Sequence, residues 1–305
     1  MTFPDLPADV VKHIQLAILD WYGQHRRDLP WRDNPDPYAK FVSENMLQQT
    51  GVERVQPAFE KFLDRFPDFE SLAHAPVVDV LRRWAGLGYN RRAIRLQECA
   101  RVICRDHLGV LPRSPSDLAR LPGVGPYTVA AIQSFVFGED IAALDTNIRR
   151  VIGRVWFGES IADREIQTAA TRLLPATQGA AWNQALMDFG SLQCTTNRPA
   201  CPICPIRDWC RAFSLSSPPL VQRRIAEQSE PYRGSRRYIR GRIVALLRDR
   251  SAGELAPLSD LERALIDYDI AIDRVTLVSI LDSLAHDGLC QVKTDSSDIL
   301  VGPPI

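Results

Sequence analysis

The chain has 305 residues, 45% of them hydrophobic, and a formal net charge of zero at pH 7. This length predicts one large or two ordinary domains with a real hydrophobic core. No apolar run reaches the ~18 residues that a membrane span requires, and the charged N-terminus lacks a secretory signal pattern. We therefore expect a cytoplasmic protein that has no membrane partner.

Helical periodicity dominates most of the chain, which predicts a mainly α protein. Pro115 and Pro126 fall near predicted first turns, where a missing amide proton costs little. The predicted helices in this part are 8–24, 38–65, 76–84, 91–107, 115–121, 126–137, 146–156, 163–175 and 180–192.

The C-terminal part has a different pattern. Residues 214–235, which include the runs SLSSPPL and EPYRG, are predicted to be a linker. Three helices and a hairpin follow, an order typical of a winged helix, so we predict a small winged-helix-like α+β domain at 236–305. Its predicted elements are helices 236–249, 258–268 and 273–287, strands 289–294 and 298–301, and a turn at 294–297.

Charge is unevenly distributed over this region. Residues 222–250 contain nine arginines and three acidic residues, whereas residues 251–305 contain three basic and ten acidic residues. The sequence therefore indicates a basic connector followed by an acidic domain. The excess of acidic residues in this domain argues against strong binding to DNA phosphates. A packing role or a protein partner is therefore at least as good an interpretation as DNA binding.

Four of the seven cysteines lie within seventeen residues, in the spacing C-x6-C-x2-C-x5-C: Cys194, Cys201, Cys204 and Cys210. Zinc sites usually have two CxxC pairs or include histidines. One CxxC with a looser ligand on each side favours a 4Fe-4S cluster, which needs four thiolates and no histidine. Zinc and unligated thiols remain alternatives. Cys99, Cys104 and Cys290 are predicted to be buried free thiols.

The segment from Leu121 to Tyr127 lies between two predicted helices and reads LPGVGPY. Gly123 and Gly125 permit a tight turn with exposed amides, to which Val124 also contributes. The following helix points its positive end to the same side, so the hairpin can hold a DNA phosphate through backbone amides. The alternative is an ordinary turn between two helices.

Asp145 ends a short apolar run and begins a predicted helix, and a lone aspartate there is most often just an N-cap. Taken together, the hairpin, this aspartate and the four cysteines resemble the helix–hairpin–helix DNA glycosylases of the endonuclease III superfamily. The resemblance covers about residues 8–213. It implies a six-helix barrel module at about 30–138 and an iron–sulfur module formed by about 1–29 and 139–213. It also implies a monomer that acts on double-stranded DNA with a mispaired or damaged base.

In that superfamily, Asp145 would stabilise the positive charge that develops on the deoxyribose as the base leaves, and would help to place the nucleophile. The bifunctional branch has a lysine where this chain has Tyr127. Without an amine there, no Schiff base can form, so we expect a monofunctional enzyme in which water resolves the sugar cation.

Three N-terminal segments, at 27–32, 36–38 and 43–50, resemble the adenine DNA glycosylase (MutY) family. The resemblance implies that Glu44 is the general acid that protonates adenine, and that Tyr127 and Asn147 stand beside the catalytic Asp145. A carboxyl kept protonated at neutral pH needs burial or a nearby like charge. The residues that would line the base pocket are Arg27, Trp31, Arg32 and Gln184.

The same resemblance assigns the contacts with DNA. Gln48, Gln49 and Thr50 match a helix tip that fills the gap in the duplex and reads the opposite base. Leu87 and Tyr89 belong to a wedge loop, in which the tyrosine stacks between bases while the target is extruded. Arg91, together with its neighbour Arg92, suits phosphate contacts.

This sequence departs from the family pattern at Asn90, at Thr146 and at the C-terminus, where it lacks the Nudix-like domain that senses 8-oxoguanine in many members. The C-terminal departure weakens the inference of 8-oxoguanine selectivity more than that of adenine excision. A thymine or uracil G-mismatch glycosylase is the first alternative, although those members carry basic residues where this chain has Gln48 and Gln49. A non-catalytic iron–sulfur DNA-binding protein is the second.

Overall fold

The computed structural model describes residues 7–158, 162–215, 233–295 and 298–305. No helix in these ranges is both long enough and apolar enough to span a bilayer. The described residues form fifteen α-helices: α1 (Ala8–His25), α2 (Pro37–Leu47), α3 (Val52–Arg65), α4 (Phe69–His74), α5 (Val77–Arg83), α6 (Arg91–His107), α7 (Pro115–Leu118), α8 (Pro126–Phe135), α9 (Thr146–Ile152), α10 (Asp163–Arg172), α11 (Gly179–Asp188), α12 (Arg211–Ser214), α13 (Arg236–Arg248), α14 (Leu258–Ile266) and α15 (Arg274–His286).

The chain divides into two compact units. The first contains Met1–Pro35, Arg113–Ala119 and Val124–Glu227; the second contains Asp36–Pro112, Arg120–Gly123 and Gln228–Ile305. The mainly α class is confirmed. The domain boundaries given above at residues 213 and 236 stay a prediction.

The core of the first unit forms around α1, α9 and α11. Ile14, Ile18 and Tyr22 repeat every four residues on α1, so they share one helical face, and all three are buried. Trp182 of α11 belongs to the same hydrophobic cluster and is 1% exposed. Each such side chain stabilises the fold by about 1.5–3 kcal/mol on burial, and together they give the site residues on α9 and α11 a rigid base.

The helices α2 to α6 form the main body of the second unit. Its core is aromatic: Phe62 packs edge-to-face on Phe66, with ring centroids 5.1 Å apart, and the Tyr38 hydroxyl donates to the Phe66 carbonyl at 2.7 Å. The buried Gln97 of α6 donates its Nε2 to the carbonyls of Leu72 at 3.0 Å and Ala75 at 2.6 Å, which ties the end of α4 to α6.

Two sequence predictions in this body are wrong. The single helix predicted at 38–65 is two helices, α2 and α3, because the backbone at Gln49 is left-handed, with φ of 57°, and interrupts the helix. The helix α4 was not predicted, although Asp68 and Ser71 form a capping box at its start. Elsewhere the predicted helices are confirmed to within a few residues, with π-helical turns at Gly153–Phe157 and Phe189–Gln193.

The C-terminal elements form a small three-stranded antiparallel sheet with α13, α14 and α15. The strands β1 (Ala256–Pro257), β2 (Gln291–Thr294) and β3 (Ile299–Gly302) lie in the order β1-β3-β2. The buried Val301 at the centre of the sheet is in register with Ala256 and with Val292. The element order is that of a winged helix, as predicted. The strand β1 was not predicted because it has only two residues and one of them is Pro257, a residue that is uncommon in strands.

Some predicted features fall outside the described residues. They include most of the predicted linker, at 216–232, and the turn residues Ser296 and Ser297. Of the three isolated thiols, Cys99 and Cys290 are buried as predicted, whereas Cys104 is half-buried. Cys104 differs because it lines a surface groove with polar neighbours such as Glu70 and Arg101.

Candidate active site and DNA-binding elements

Asp145 is the N-cap of α9 and is held in one orientation. Its Oδ1 accepts from the Ile148 backbone N–H at 2.7 Å, and its Oδ2 accepts from Asn147 Nδ2 at 2.8 Å. Burial raises the pKa of the Asp145 carboxyl, and the hydrogen bonds from Ile148 and Asn147 and the charge of Arg150 oppose this shift only in part. The result is a fixed carboxylate in a low-dielectric setting, where its charge acts strongly on a nearby cation.

Arg150, which the sequence did not single out, links α9 to the cysteine segment. Its Nη2 donates to Asn147 Oδ1 at 2.8 Å and to the Gly190 carbonyl at 2.6 Å, and its Nε donates to the Cys194 carbonyl at 2.9 Å. Any side chain at Gly190 would collide with Asn147, because a Cβ there would lie 2.7 Å from the Asn147 Cβ. The sequence signal for this link is the pair of arginines, Arg150 and Arg154, one helical turn apart after Asp145.

The four clustered cysteines line one cavity in the first unit, together with apolar side chains such as Phe189 and Ile206. Arg154 closes one side: its Nη1 lies 3.4 Å from Cys194 Sγ and donates to the Thr195 carbonyl at 2.7 Å. All four thiols are free of disulfides, and burial raises the pKa of Cys204 to about 12, so binding of a metal centre would have to displace its proton.

Within the described ranges, no three His, Cys, Asp or Glu side chains come close enough to hold a single metal ion. A cubane is larger than one ion and takes a thiolate at each of four separate corners. Four thiols around one largely apolar cavity therefore fit a cluster better than they fit a zinc ion.

Three of the four predicted base-pocket residues lie together around α11. Arg27 Nε donates to Asp188 Oδ1 at 2.7 Å, and Arg32 makes two 2.7 Å hydrogen bonds to the same carboxylate. One turn earlier on α11, Gln184 Oε1 accepts from the Tyr22 hydroxyl at 2.7 Å. Asp188 is fully buried. Burial raises its pKa, but the hydrogen bonds and charges of the two arginines outweigh burial and lower it.

Asp188 was missed because a charged residue at the end of an amphipathic helix is ordinarily solvent-exposed, and Tyr22 was missed because its partner Gln184 lies 162 positions away. Trp31, the fourth predicted pocket residue, is 6% exposed and buried in the same unit. The roles of these residues toward a substrate base stay a prediction.

In the second unit, Glu44 is half-buried on α2, between the buried Ser43 and Asn45. The helix ends at Leu47, and Gln48 is its C-cap. Gln49 is exposed in the left-handed conformation, whereas the Thr50 side chain is buried. The tip therefore presents the two glutamines.

The loop that follows α5 has an unusual backbone. Gly86 and Gly88 have φ of 87° and 73°, and Tyr89 has φ of 47°. Glycine adopts this region freely, but a tyrosine is strained in it, and such strain concentrates at functional sites. The Tyr89 side chain is 43% exposed, whereas Leu87 is 2% exposed. The Tyr89 ring is thus exposed at the surface, and Leu87 supports the loop through its carbonyl, which accepts from Thr50 Oγ1 at 3.1 Å.

Arg92 does not have the exposed position that a phosphate contact needs. Its Nη1 donates to the carbonyls of Asn45 and Met46 at 2.9 and 3.0 Å, and its Nη2 donates to Thr50 Oγ1 at 2.7 Å. Burial lowers the pKa of its guanidinium to about 10. The expected phosphate contact is therefore corrected: Arg92 joins the tip after α2 to the Tyr89 loop. Arg91 remains exposed and lies 3.3 Å from Asp287.

The predicted hairpin has the expected turn. Gly123 has φ of 78°, and a Cβ there would lie 2.8 Å from Arg95 Cδ, so a larger residue would be strained. Gly125 is the N-cap of α8 and Pro126 is its first residue. Tyr127 is half-buried in the first turn, and Val124 is 9% exposed.

Comparisons with known proteins agree with this arrangement. Residues 42–176 match the family described as HhH-GPD superfamily base excision DNA repair protein. The adenine DNA glycosylase of Mycolicibacterium smegmatis is 37% identical over 291 residues, which cover 94% of this chain and 96% of that protein. This chain belongs to the adenine DNA glycosylase family. It is accordingly a DNA glycosylase of base excision repair.

Other members of the adenine DNA glycosylase family match to different extents. The Mycobacterium tuberculosis protein is 37% identical over 93% of this chain and 92% of its own length, whereas the Homo sapiens protein is 38% identical over 64% of this chain and 38% of its own length. Among solved structures, a thermostable thymine-DNA glycosylase superposes with a TM-score of 0.64 at 31% identity, over 68% of this chain and 98% of its own. A trapped endonuclease III–DNA intermediate, with a TM-score of 0.62 at 20% identity over 69% of this chain and 99% of its own, shows the shared fold.

Proposed function

We propose that this protein hydrolyses the N-glycosidic bond of adenine paired with 8-oxoguanine or guanine in duplex DNA. The observation that carries the proposal is Asp145, a half-buried carboxylate fixed by hydrogen bonds from Ile148 and Asn147. As the base leaves, positive charge develops on the sugar, and a preorganised carboxylate stabilises it without reorganising.

Glu44 supplies the complementary acid. Adenine leaves poorly until a ring nitrogen is protonated, so an enzyme without a covalent nucleophile needs a proton donor as well as a cation stabiliser. Glu44 lies near the end of α2, one turn before the Gln48 tip, so the same helix carries the acid and the residues that read the opposite base. Tyr127 offers no amine, so water is the nucleophile and the enzyme is monofunctional.

Extrusion of the adenine is assigned to the Tyr89 loop and the glutamine tip. An exposed aromatic on a strained, glycine-flanked backbone can enter the base stack and offset lost stacking. Because Arg92 and Thr50 connect this loop to the tip, the two elements enter the duplex as one piece.

The four cysteines are proposed to hold a 4Fe-4S cluster. When bound, the cluster crosslinks the segment from Cys194 to Cys210 and supplies no step of the hydrolysis. The segment between the first two ligands carries the exposed Arg198, which suits a phosphate contact. The cluster would thus support DNA binding.

The substrate assignment predicts a defined order of activity. Single-turnover cleavage of four duplexes, holding A·8-oxoG, A·G, T·G and U·G, is expected to release base from the first two. Borohydride is expected to trap no protein–DNA adduct, because water resolves the sugar. Preferred T·G cleavage with an inert A·8-oxoG duplex would support the thymine-specific alternative, which the 31% identity to a thymine-DNA glycosylase keeps open. Binding without release from any duplex would support a non-catalytic protein.

Cys204→Ser is expected to lower iron content, the visible charge-transfer absorbance, the melting temperature and duplex affinity together, because one corner of the cluster is lost. Cys104→Ser is the matched control, because this thiol is also half-buried but lies on α6 in the other unit. All four measured quantities of this variant should equal those of the unchanged protein. Elemental analysis that finds stoichiometric zinc in place of iron would contradict the cluster.

A further inference from the structure

The C-terminal domain contacts the Tyr89 loop within the second unit. The Arg237 guanidinium, near the start of α13, lies over the Tyr89 ring at 4.4 Å from its centroid. The Arg92 guanidinium lies over the same ring at 5.5 Å. The exposed wedge tyrosine therefore has two cationic partners, one from the glycosylase body and one from the C-terminal domain.

This position of Arg237 is fixed by further contacts between the domain and the helices beside the loop. Arg82 of α5 donates to the carbonyl of Arg248 at 3.0 Å and to that of Arg250 at 2.5 Å, so it holds the end of α13. Asp287 pairs with Arg240 at 2.7 Å and with Arg91 at 3.3 Å, so it joins α13 to the first residue of α6. The start of α13 is thereby held beside Tyr89.

The charge of this face differs from the charge of the domain. Residues 236–250 contain six arginines and one acidic residue, and Arg236 and Arg237 are exposed. Within the basic segment indicated by the sequence, residues 236–248 form α13, which was predicted as the first helix of the domain. Its N-terminal turn places Arg237, and not Arg236, at the wedge loop.

We propose that Arg237 is a positioning residue for base extrusion, through which the C-terminal domain takes part in opening the duplex. The proposal rests on the wedge role proposed for Tyr89. The Tyr89 ring is 43% exposed, so packing within the loop restrains it only in part. The Arg237 guanidinium over the ring keeps it in one orientation before it meets DNA, which lowers the entropy cost of inserting it.

The test uses the full-length protein and a duplex with 2-aminopurine next to the target adenine. Extrusion is followed by 2-aminopurine fluorescence, and excision by single turnover at saturating enzyme. Arg237→Ala is expected to slow extrusion about three-fold, the size of an exposed cation–π contact. In a Tyr89→Ala background, Arg237→Ala should have no further effect on extrusion. Arg237→Lys should keep part of the rate, because an ammonium still makes a cation–π contact but covers less of the ring than the planar guanidinium.

Arg236→Ala is the matched control, since this neighbouring arginine is exposed but lies near Ser279, 3.4 Å from its Oγ. It should leave extrusion unchanged. Equal extrusion losses for Arg237→Ala with and without Tyr89 would reveal a plain phosphate contact and overturn the positioning role. A faster Arg237→Ala variant would overturn it in favour of a contact that restrains the wedge. If Tyr89→Ala extrudes the base at the normal rate, the wedge assignment is wrong. If Tyr89→Ala is slow but Arg237→Ala extrudes at the normal rate, the wedge assignment stands and the positioning role of Arg237 is wrong.

Discussion

Asp145→Asn is expected to slow adenine excision about 10²- to 10³-fold while duplex affinity stays unchanged. Asn is nearly isosteric and caps helices as well as Asp does, so its Oδ1 can still accept from the Ile148 N–H. Two things disappear: the negative charge that stabilises the sugar cation, and the Oδ2 acceptor of the hydrogen bond from Asn147 Nδ2. Single-turnover rates at saturating enzyme measure the chemical step, and anisotropy on an uncleavable duplex measures binding.

A stability measurement separates a charge effect from misfolding. Because burial raises the pKa of Asp145 above its unfolded value, the ionised form costs stability as pH rises through that pKa. Asp145→Asn removes this cost but also loses the hydrogen bond from Asn147, so its melting temperature is expected to stay close to that of the unchanged protein at neutral pH. Conversely, excision should fall on the acid side, where the raised pKa protonates this carboxylate. A variant with slow excision and a melting temperature clearly below that of the unchanged protein would mean only that the substitution had damaged α9.

Glu44→Gln provides the matched comparison at the other carboxyl. It is expected to bind duplex normally and to excise about 10²- to 10⁴-fold more slowly, because the amide cannot donate the proton that adenine needs. Excision of a base that leaves without protonation should be affected far less. Near-normal adenine excision by this variant would remove Glu44 from the role of general acid.

Asp188→Ala is expected to destabilise the protein by about 3–5 kcal/mol, the usual cost of removing one partner from a buried ion pair. The side chain is fully buried and accepts from Arg27 and from both Nη atoms of Arg32. Its loss leaves two guanidinium groups packed without their acceptor. Urea unfolding followed by circular dichroism gives the free energy directly.

The exposed pair Arg26–Asp33 offers the control for Asp188. Asp33 is 76% exposed, so Asp33→Ala should cost no more than about 1 kcal/mol. Acid adds a second test. The arginines lower the pKa of Asp188, so its stabilisation is present above the unfolded aspartate pKa of about 3.9 and is lost as pH falls through the lower folded value. Equal urea midpoints for the Asp188 and Asp33 variants would contradict a buried cluster that stabilises this unit.

The features that could be predicted from sequence are those in which local chemistry and chain order are sufficient. Asp145 follows an apolar run and caps a helix, Gly123 needs a positive φ, and the three C-terminal helices precede a hairpin. Each of these depends on neighbours within a few residues. The family resemblance then assigned roles that local pattern alone would have left open.

The features that were missed depend on contacts between distant segments. Asp188 pairs with Arg32 across 156 positions, and the inward position of Arg92 depends on carbonyls 46 and 47 residues away. The hydrophobic periodicity of the sequence predicts neither the burial of Asp188 nor the inward position of Arg92. The helix break at Gln49 was missed for a related reason, since apolar spacing continues through it while the backbone does not.

The link made by Arg150 has a consequence for damage to the protein itself. One guanidinium holds Asn147, which orients Asp145, and also holds the carbonyls of Gly190 and Cys194. An oxidant that attacks the thiols and opens the Cys194 segment would break the hydrogen bond from Arg150 to the Cys194 carbonyl and so loosen the guanidinium that holds Asn147. Oxidative stress, which creates damaged guanine in DNA, would then disable the chemistry of this enzyme as well as its hold on the duplex.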